Sequence, residues 1–321
     1  MAASETTPSV SSDFRVTVIV CAWNPDPVRF NRVIRSLQDQ TLDRREWELL
    51  IIDNHSDPAL TVDLSWHSSA QIVVETKLGL THARLTGIDR ARGRLLVFVD
   101  DDNVLAPDYL ARAREIAQSR PWLGAFGGSI VPEYEIEPPA ILRDRPWLVA
   151  CVTVSREAWS NHASPGGCLP VGAGMCVRAE VARAYASLCR NDPMRILLDR
   201  QGNNLSSAGD DDLALTACDL GYAAGRFPQL QLTHLIAAHR LNLPYLLRLA
   251  EGIARSQILL RSLRPPGVQR PPLSRIESFV RWYARRRLTP DARAFELAWL
   301  RGEASAFDFL AARRNSPQSP A

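Results

Sequence analysis

LLVFVDDDN, residues Leu95 to Asn103, is a run of five apolar residues closed by three aspartates and an asparagine. Such a run reads as a strand buried on both faces, and strands of that kind belong to parallel sheets covered by helices. Two similar runs lie upstream: Arg15 to Ala22, closed by Trp23-Asn24, and Glu48 to Asp53, closed by Asp53-Asn54-His55-Ser56-Asp57. A further strand is expected at Gln71 to Glu75. Between them, Pro27 to Gln40 carries Val28, Val33, Ile34 and Leu37 at helical spacing, and Leu80 to Ala91 reads as a second helix. Strand alternating with helix is the pattern of an α/β fold with a mostly parallel sheet. Ligands of such sheets sit at the carboxyl ends of the strands, so the three polar closures are expected to converge on one crevice.

Composition bounds the answer from outside. The 321 residues are 46% hydrophobic and 23% charged, which supports a sizeable core and excludes a disordered, collagenous or disulfide-stapled chain. Net charge is only +3, too balanced to indicate nucleic acid as a partner. Its distribution is uneven: residues 241–321 hold 14 Arg against 6 acidic residues, a net of +8 that leaves −5 on the first 240. The six cysteines form no C-x-x-C pair, so reduced thiols are expected rather than zinc or disulfides. Residues 1–13 are Ser/Thr-rich without a basic n-region and read as a disordered terminus, not a signal peptide. Tyr245 to Leu263, the longest leucine-rich stretch, is interrupted by Arg248, Glu251, Arg255 and Arg261 and does not read as a membrane span. A cytoplasmic location follows as the expectation.

The second half is less regular. Glu133 to Gly167, rich in Pro, Glu and Trp, reads as a long loop or lid. Gly172 to Val177 and Gln229 to Leu235 read as strands, Glu180 to Leu188 and Asp211 to Leu220 as helices, the latter closed by Gly221. Pro265, Pro266, Pro271 and Pro272 mark a linker before a helical segment, Ser274 to Leu310.

Chemistry concentrates in two acidic clusters. If extended geometry persists past Val99, Asp100 and Asp102 share one side and Asp101 faces away. Two like charges on one side repel unless a cation lies between them, and Mg²⁺ or Mn²⁺ is commonly held by one or two carboxylates plus substrate phosphates. The competing reading is a solvated acidic turn. In SSAGDDDLALTACDLGY, Ser206 to Tyr222, three aspartates stand at a helix start, where capping accounts for one or two and leaves a carboxylate free as a general base. His234 follows a strand and His239-Arg240 precedes a helix. A neutral imidazole is a sensible third ligand beside two carboxylates, and Arg240 could balance phosphate charge.

In their order, these segments resemble the family 2 inverting nucleotide-sugar glycosyltransferases of the GT-A fold. VTVIVCAWN (Val16 to Asn24) resembles the opening strand and turn, with Cys21-Ala22-Trp23-Asn24 in place of the usual Pro-x-Tyr-Asn. ELLIIDNHSD (Glu48 to Asp57) is similar to the strand whose terminal Asp, here Asp53, holds the nucleotide base. KLGLTHARLTGIDRARG (Lys77 to Gly93) is similar to the G-x-x-x-A-R-N-x-G segment, with Leu85 where Asn is common. VFVDDDNVLAPDYL (Val97 to Leu110) looks like the metal-binding D-x-D segment, and GAGMCVRAEV (Gly172 to Val181) like the donor-sugar loop. Aligning the base segment on Gly209 makes Asp211 the base; counting back from Gly221 makes it Asp210, and Asp211 is taken first. THLIAAHRL (Thr233 to Leu241) looks like the closing His motif.

The resemblance implies a catalytic domain over residues 14–240, with a nucleotide half (14–110) and an acceptor and base half (111–240), followed by a basic helical extension (241–321). It implies Mg²⁺ or Mn²⁺ on Asp100, Asp102 and His234. The nucleotide-sugar, UDP-, GDP- or dTDP-linked, is implied to lie on Cys21, Trp23, Asn24, Asp53, Ser56, Lys77, Arg84, Asp100, Asp101, Gly172 and Arg240. The acceptor is a saccharide or lipid-linked saccharide, in cell-surface polysaccharide or glycolipid synthesis. Two rivals stand beside it: a nucleotide-sugar-binding protein of weak turnover, and a phosphatase of the haloacid dehalogenase class. The latter places its lysine after the first Asp motif, whereas Lys77, the one lysine here, precedes it. In the extension, Leu246, Leu249, Ala250, Ile253 and Leu260 fall on one helical face, suiting core packing or an anionic membrane surface. Trp282-Tyr283 beside Arg285-Arg286-Arg287 tilts the reading toward peripheral attachment at the inner face of the plasma membrane.

Overall fold

The computed structural model describes residues 15–162, 167–270 and 288–315. Strands β1 (Val16–Ala22), β2 (Trp47–Asp53), β3 (Ala70–Val74) and β4 (Leu95–Asp100) pair in parallel in the order β3-β2-β1-β4, with Val18 between Leu49 and Val97. Their side chains divide by the two-residue period. Val18, Val20, Leu49, Ile51, Val97 and Val99 enter one core; Ile19, Leu50, Ile52, Leu96 and Phe98 enter the other. The first core is closed by helix α1 (Pro27–Gln38) through Phe30, Val33, Ile34 and Leu37, and the second by α2 (Leu80–Arg90) through Ala83 and Ile88. Asp26 starts α1 by accepting from the Val28 and Arg29 amides. Each fully buried aliphatic side chain contributes roughly 1.5–3 kcal/mol, so both faces hold the sheet.

The remaining elements are β5 (Asn103–Leu105), α3 (Tyr109–Ser119), β6 (Leu123–Tyr134), α4 (Ala140–Asp144), β7 (Ala158–Ser160), β8 (Cys176–Arg178), α5 (Ala179–Asn191), α6 (Gly209–Asp219), β9 (Ala223–Ile236), α7 (Leu243–Ser262) and α8 (Pro290–Asn315). Beyond β4 the sheet continues β8-β6-β9-β5, with β7 on β9. Following the pairings, six of the nine strands among the described residues run one way, and β5, β7 and β8 run against them. The expected α/β class, a mostly parallel sheet flanked by helices with helices at the C-terminus, is the observed one.

Several local expectations need correction. Glu133 to Gly167 is not one irregular loop: it holds the end of β6, α4, a 3₁₀ turn at Pro146–Val149, and β7. The strand expected from Gly172 starts only at Cys176, because Gly172 to Met175 is a turn closed by the Met175 amide on the Gly172 carbonyl (3.1 Å). Gly174 in that turn has φ +72°, a conformation that favours glycine. Helix α6 begins at Gly209 rather than Asp211, and no side chain caps it. The aliphatic stripe of α7 is core: Leu246, Leu249, Ala250 and Leu260 are buried, the last beside Met194, Leu198 and Ala306, so its use as a membrane face is overturned. The basic cluster Trp282, Tyr283, Arg285, Arg286 and Arg287, the prolines at 271 and 272, and residues 1–13 lie outside the described residues. Among the described residues no helix is long and apolar enough to cross a membrane.

Candidate active site

The carboxyl ends of β1, β2 and β4 open into a cavity of about 370 Å³, within the usual range for small-molecule clefts. Its wall includes Cys21, Trp23, Asn24, Arg84, Gly172, Asp210, His234, Arg240 and all three of Asp100, Asp101 and Asp102. The alternation expected past Val99 therefore fails. The chain turns after Asp100, and fully buried Asn103 ties the turn, accepting from the Asp100 amide (3.1 Å) and donating to Asp102 Oδ1 (3.0 Å). Asn103 then begins β5, directly opposite His234 on β9.

That register brings separate motifs together. His234 Nε2 lies 3.2 Å from Asp102 Oδ2, and Arg240 Nη1 donates to the same oxygen at 2.8 Å. His234 Nδ1 donates to the Val149 carbonyl (2.9 Å), and Nε2 faces both the Asp102 carboxylate and Arg240 Nη1 (3.2 Å to each). Burial opposes the Asp102 charge, but His234 and Arg240 outweigh it and hold this carboxyl below the usual range. The neighbours go the other way: burial and then Asp102 push Asp100 up, and burial with Asp102 and Asp100 pushes Asp101 up to about 8.

The opposite wall is built on Arg84 of α2. Its Nη1 donates to Asp199 Oδ2 at 2.7 Å, and both side chains are 5% exposed. Burial works against the guanidinium charge, yet Asp199, Asp210 and Asp100 more than offset it. Asp210 Oδ2 accepts from the Gly172 amide (2.8 Å), joining the first turn of α6 to the turn before β8. The next two aspartates turn elsewhere. Asp211 Oδ2 accepts from Gln257 Nε2 of α7 (2.6 Å) and is not in the cavity wall. Asp212 has no exposed surface, takes Arg195 Nη1 on both oxygens at 2.6 Å, and takes Arg264 Nη2 at 2.9 Å. Asp211 is pushed up to about 7, first by burial and then by Asp210, with Gln257 and Arg226 pulling back.

Other residues singled out in the sequence are distributed unevenly. Trp23 stands 46% exposed at the cavity mouth, and burial pushes the Cys21 thiol up to about 12, so it is neutral. Asp53 is 2% exposed and outside the cavity wall; its oxygens accept from the Ser56 and Leu60 amides, each at 3.0 Å. Ser56 Oγ accepts from the Asn24 amide (2.9 Å), so these two residues order the loop behind the cavity. Lys77 is exposed, also outside the wall, and accepts through its carbonyl from Asn54 Nδ2 (2.7 Å).

Sequence reasoning gave no site role to Asp199, Arg200 and Tyr245, and named Asn54 and His239 in their segments without assigning them one; all five are in the wall. The one signal for Asp199-Arg200 is a charged pair between an apolar run, Ile196 to Leu198, and the turn-forming Gly202-Asn203-Asn204. Arg200 sits within electrostatic reach of Asp100, Asp102 and Asp199, and its side chain has no hydrogen bond or ion pair among the described residues.

Among the described residues no three His, Cys, Asp or Glu side chains gather as a metal cluster. Asp102 and His234 Nε2, with the imidazole neutral, are nonetheless a ligand pair that fits Mg²⁺ or Mn²⁺ completed by oxygens of a bound phosphate. Asp100, one turn back, offers a further carboxylate.

Fold and site together define a class: an α/β protein, similar in architecture to the GT-A glycosyltransferases, with an acidic crevice at the carboxyl ends of its parallel strands. Residues 17–143 match the model of glycosyl transferase family 2. A Haloferax volcanii protein described as a glucosyl-dolichyl phosphate glucuronosyltransferase is 22% identical over 142 residues, covering 43% of this chain and 45% of its own. The chain thus spans less than half the length of that curated relative. A mannosyltransferase from Pyrobaculum calidifontis, solved in complex with GDP-Man and Mn²⁺, superposes with a TM-score of 0.52 at 19% identity, over 98% of this chain and 80% of that one. At that identity the likeness is one of fold.

Proposed function

We propose that this chain transfers a sugar from a nucleotide-diphosphate sugar to an acceptor hydroxyl with inversion at the anomeric carbon. The observation that carries the reading is the single cavity into which the Asp102, His234 and Arg240 cluster opens together with Asp210. A diphosphate belongs on the first group and a sugar with its incoming hydroxyl beside the second. Asp102, His234 and the nearby Asp100 are the residues that would hold Mg²⁺ or Mn²⁺, which when bound neutralises charge on the departing diphosphate. Arg200, whose side chain has no partner among the described residues, and Arg240 add positive charge to the same place.

Asp210, rather than Asp211, is the base in this proposal, because Asp210 lines the cavity while Asp211 is engaged by Gln257. The acceptor oxygen bonds to the anomeric carbon as the bond from that carbon to the phosphate oxygen breaks. The hydroxyl proton passes to the Asp210 carboxylate, and the nucleoside diphosphate leaves with the bonding pair. A positioned base of this kind contributes typically about 10²–10⁴-fold.

UDP-, GDP- and dTDP-sugars are the donor candidates, with GDP-mannose tested first, and the acceptor class is a saccharide or lipid-linked saccharide of a cell-surface polysaccharide or glycolipid. The net +8 of residues 241–321 supports weak attachment to an anionic cytoplasmic leaflet, where such lipids reside. Thermal stabilisation by nucleotide sugars with and without Mn²⁺ tests the reading, since a ligand of the folded state raises apparent stability. A metal-dependent rise with one donor, then product of inverted anomeric configuration, is the expected result. Stabilisation by none of the donors overturns it, and full transfer in excess chelator overturns the metal assignment.

A further inference from the structure

Helix α7 lies beyond the segment that matches the family model, yet it is joined to the residues that form the Asp210 wall. Gly252 faces the carbonyl of Leu205 so closely that an added Cβ would come within 2.5 Å of that oxygen, which excludes any side chain there. One turn on, Ser256 Oγ accepts from the Ser207 amide (3.1 Å), and Gln257 Nε2 donates to Asp211 Oδ2 (2.6 Å). Just after the helix, Arg264 reaches Asp212 and Asp219.

These contacts fall on the chain immediately before and within the first turn of α6. That turn lacks a side-chain cap at its N-cap residue, Ala208. Its direction is therefore fixed from outside, and of the bonds from α7 the one nearest Asp210 is that from Gln257 to the following residue. Asp210 itself is held lightly, with one oxygen on the Gly172 amide (2.8 Å) and the other on the Asp211 amide (3.0 Å).

We propose that Gln257 is a positioning residue for the transfer reaction: by holding Asp211 on α7, it fixes the first turn of α6 so that the Asp210 carboxylate faces the cavity. The proposal rests on the reading of Asp210 as the base. Asp211 is faced by Asp210 and Asp212 on its own helix, by Arg226 on β9 and by Gln257 on α7. Without the Gln257 amide, Asp211 loses a donor that favours its ionised form. Protonated Asp211 is then free to donate to Asp210 and blunt its basicity.

The test measures kcat, donor KM and donor binding for Gln257→Leu, Gln257→Glu and Asp210→Asn across pH, using GDP-mannose with Mn²⁺, or UDP-glucose where that is the donor bound. Gln257→Leu is expected to lower kcat by about tenfold to a hundredfold with donor KM unchanged, as for a catalytic group slightly misplaced. Its acid limb moves to higher pH. Gln257→Glu is equally impaired at mildly alkaline pH but regains kcat as pH falls and the facing carboxyls take up one proton, which bridges them as the amide did. The proposal is overturned if Gln257→Leu stays within about twofold of the parent kcat at every pH. It is also overturned if both variants lose donor binding together with kcat, as a merely structural helix would dictate, or if Glu follows Leu across the whole range. Full turnover by Asp210→Asn fails the base reading instead, whatever Gln257 does.

Discussion

Asp100-Asp101-Asp102 and Asp210-Asp211-Asp212 are one tripeptide in two settings. The first lies on a turn, tied by Asn103, and all three carboxylates line the cavity. The second lies on the first turn of a helix, where each successive residue is rotated by about 100°. There Asp210 meets the Gly172 amide at the cavity, Asp211 meets Gln257, and Asp212 meets Arg195 and Arg264 in the interior. A turn gathers charge at one point, which suits a cation shared with phosphate. A helix distributes it, so three identical residues acquire three separate roles.

Substitution of each member tests that contrast. Asp210→Asn has the largest expected effect, a fall in turnover of about 10²–10⁴-fold with donor binding retained, read from kcat and from calorimetric titration of the donor. A loss of donor affinity instead would place Asp210 with the first triplet. Asp212→Ala should act on stability, costing about 3 kcal/mol in a denaturant melt, because it leaves the buried Arg195 without its carboxylate and Arg264 with Asp219 alone. An unchanged melting midpoint would mean that the interior pairing carries no weight.

In the first triplet, Asp102→Ala removes the oxygen shared by His234 and Arg240, and metal-dependent donor binding should weaken by about tenfold or more. Binding measured in excess chelator should be equally weak for parent and variant.

The smallest expected effect is that of Asp211→Asn, which keeps an acceptor oxygen for Gln257 and should lower kcat by less than about fivefold. Its signature lies in stability against pH. With the folded carboxyl raised to about 7, the contribution of Asp211 is fully present below its unfolded value near about 4, and is lost as pH rises through about 7. Thermal melts from acid to mildly alkaline pH should show the parent losing stability relative to Asp211→Asn across that window. Parallel curves would mean that Asp211 titrates alike in both states.

The nucleotide half was legible because its strands are uninterrupted apolar runs closed by polar residues. The observed β4, Leu95–Asp100, covers the five apolar residues read as a strand and the first aspartate that closes them, and β1 and β2 differ from their expected spans by one residue at the start. The second half hid β6, since LGAFGGSI has neither a two-residue nor a helical period, and its glycines separate the side chains, Leu123, Phe126 and Ile130, that enter the core. The α7 stripe was visible as a stripe, but the surface it met was not.

The sequence alone determined which residues bear charge at strand ends and helix starts, and hence the α/β class and the general place of the site. Only the tertiary structure decided their directions. The pairing of β5 with β9 sets His234 against Asp102, and the packing of α2 sets Arg84 on Asp199, across 132 and 115 residues of chain. α7 supplies Gln257 to an aspartate 46 residues away. Local pattern specifies an element and its buried face. The meeting of side chains from distant segments depends on how those elements pack, and no short-range signal in the chain encodes it.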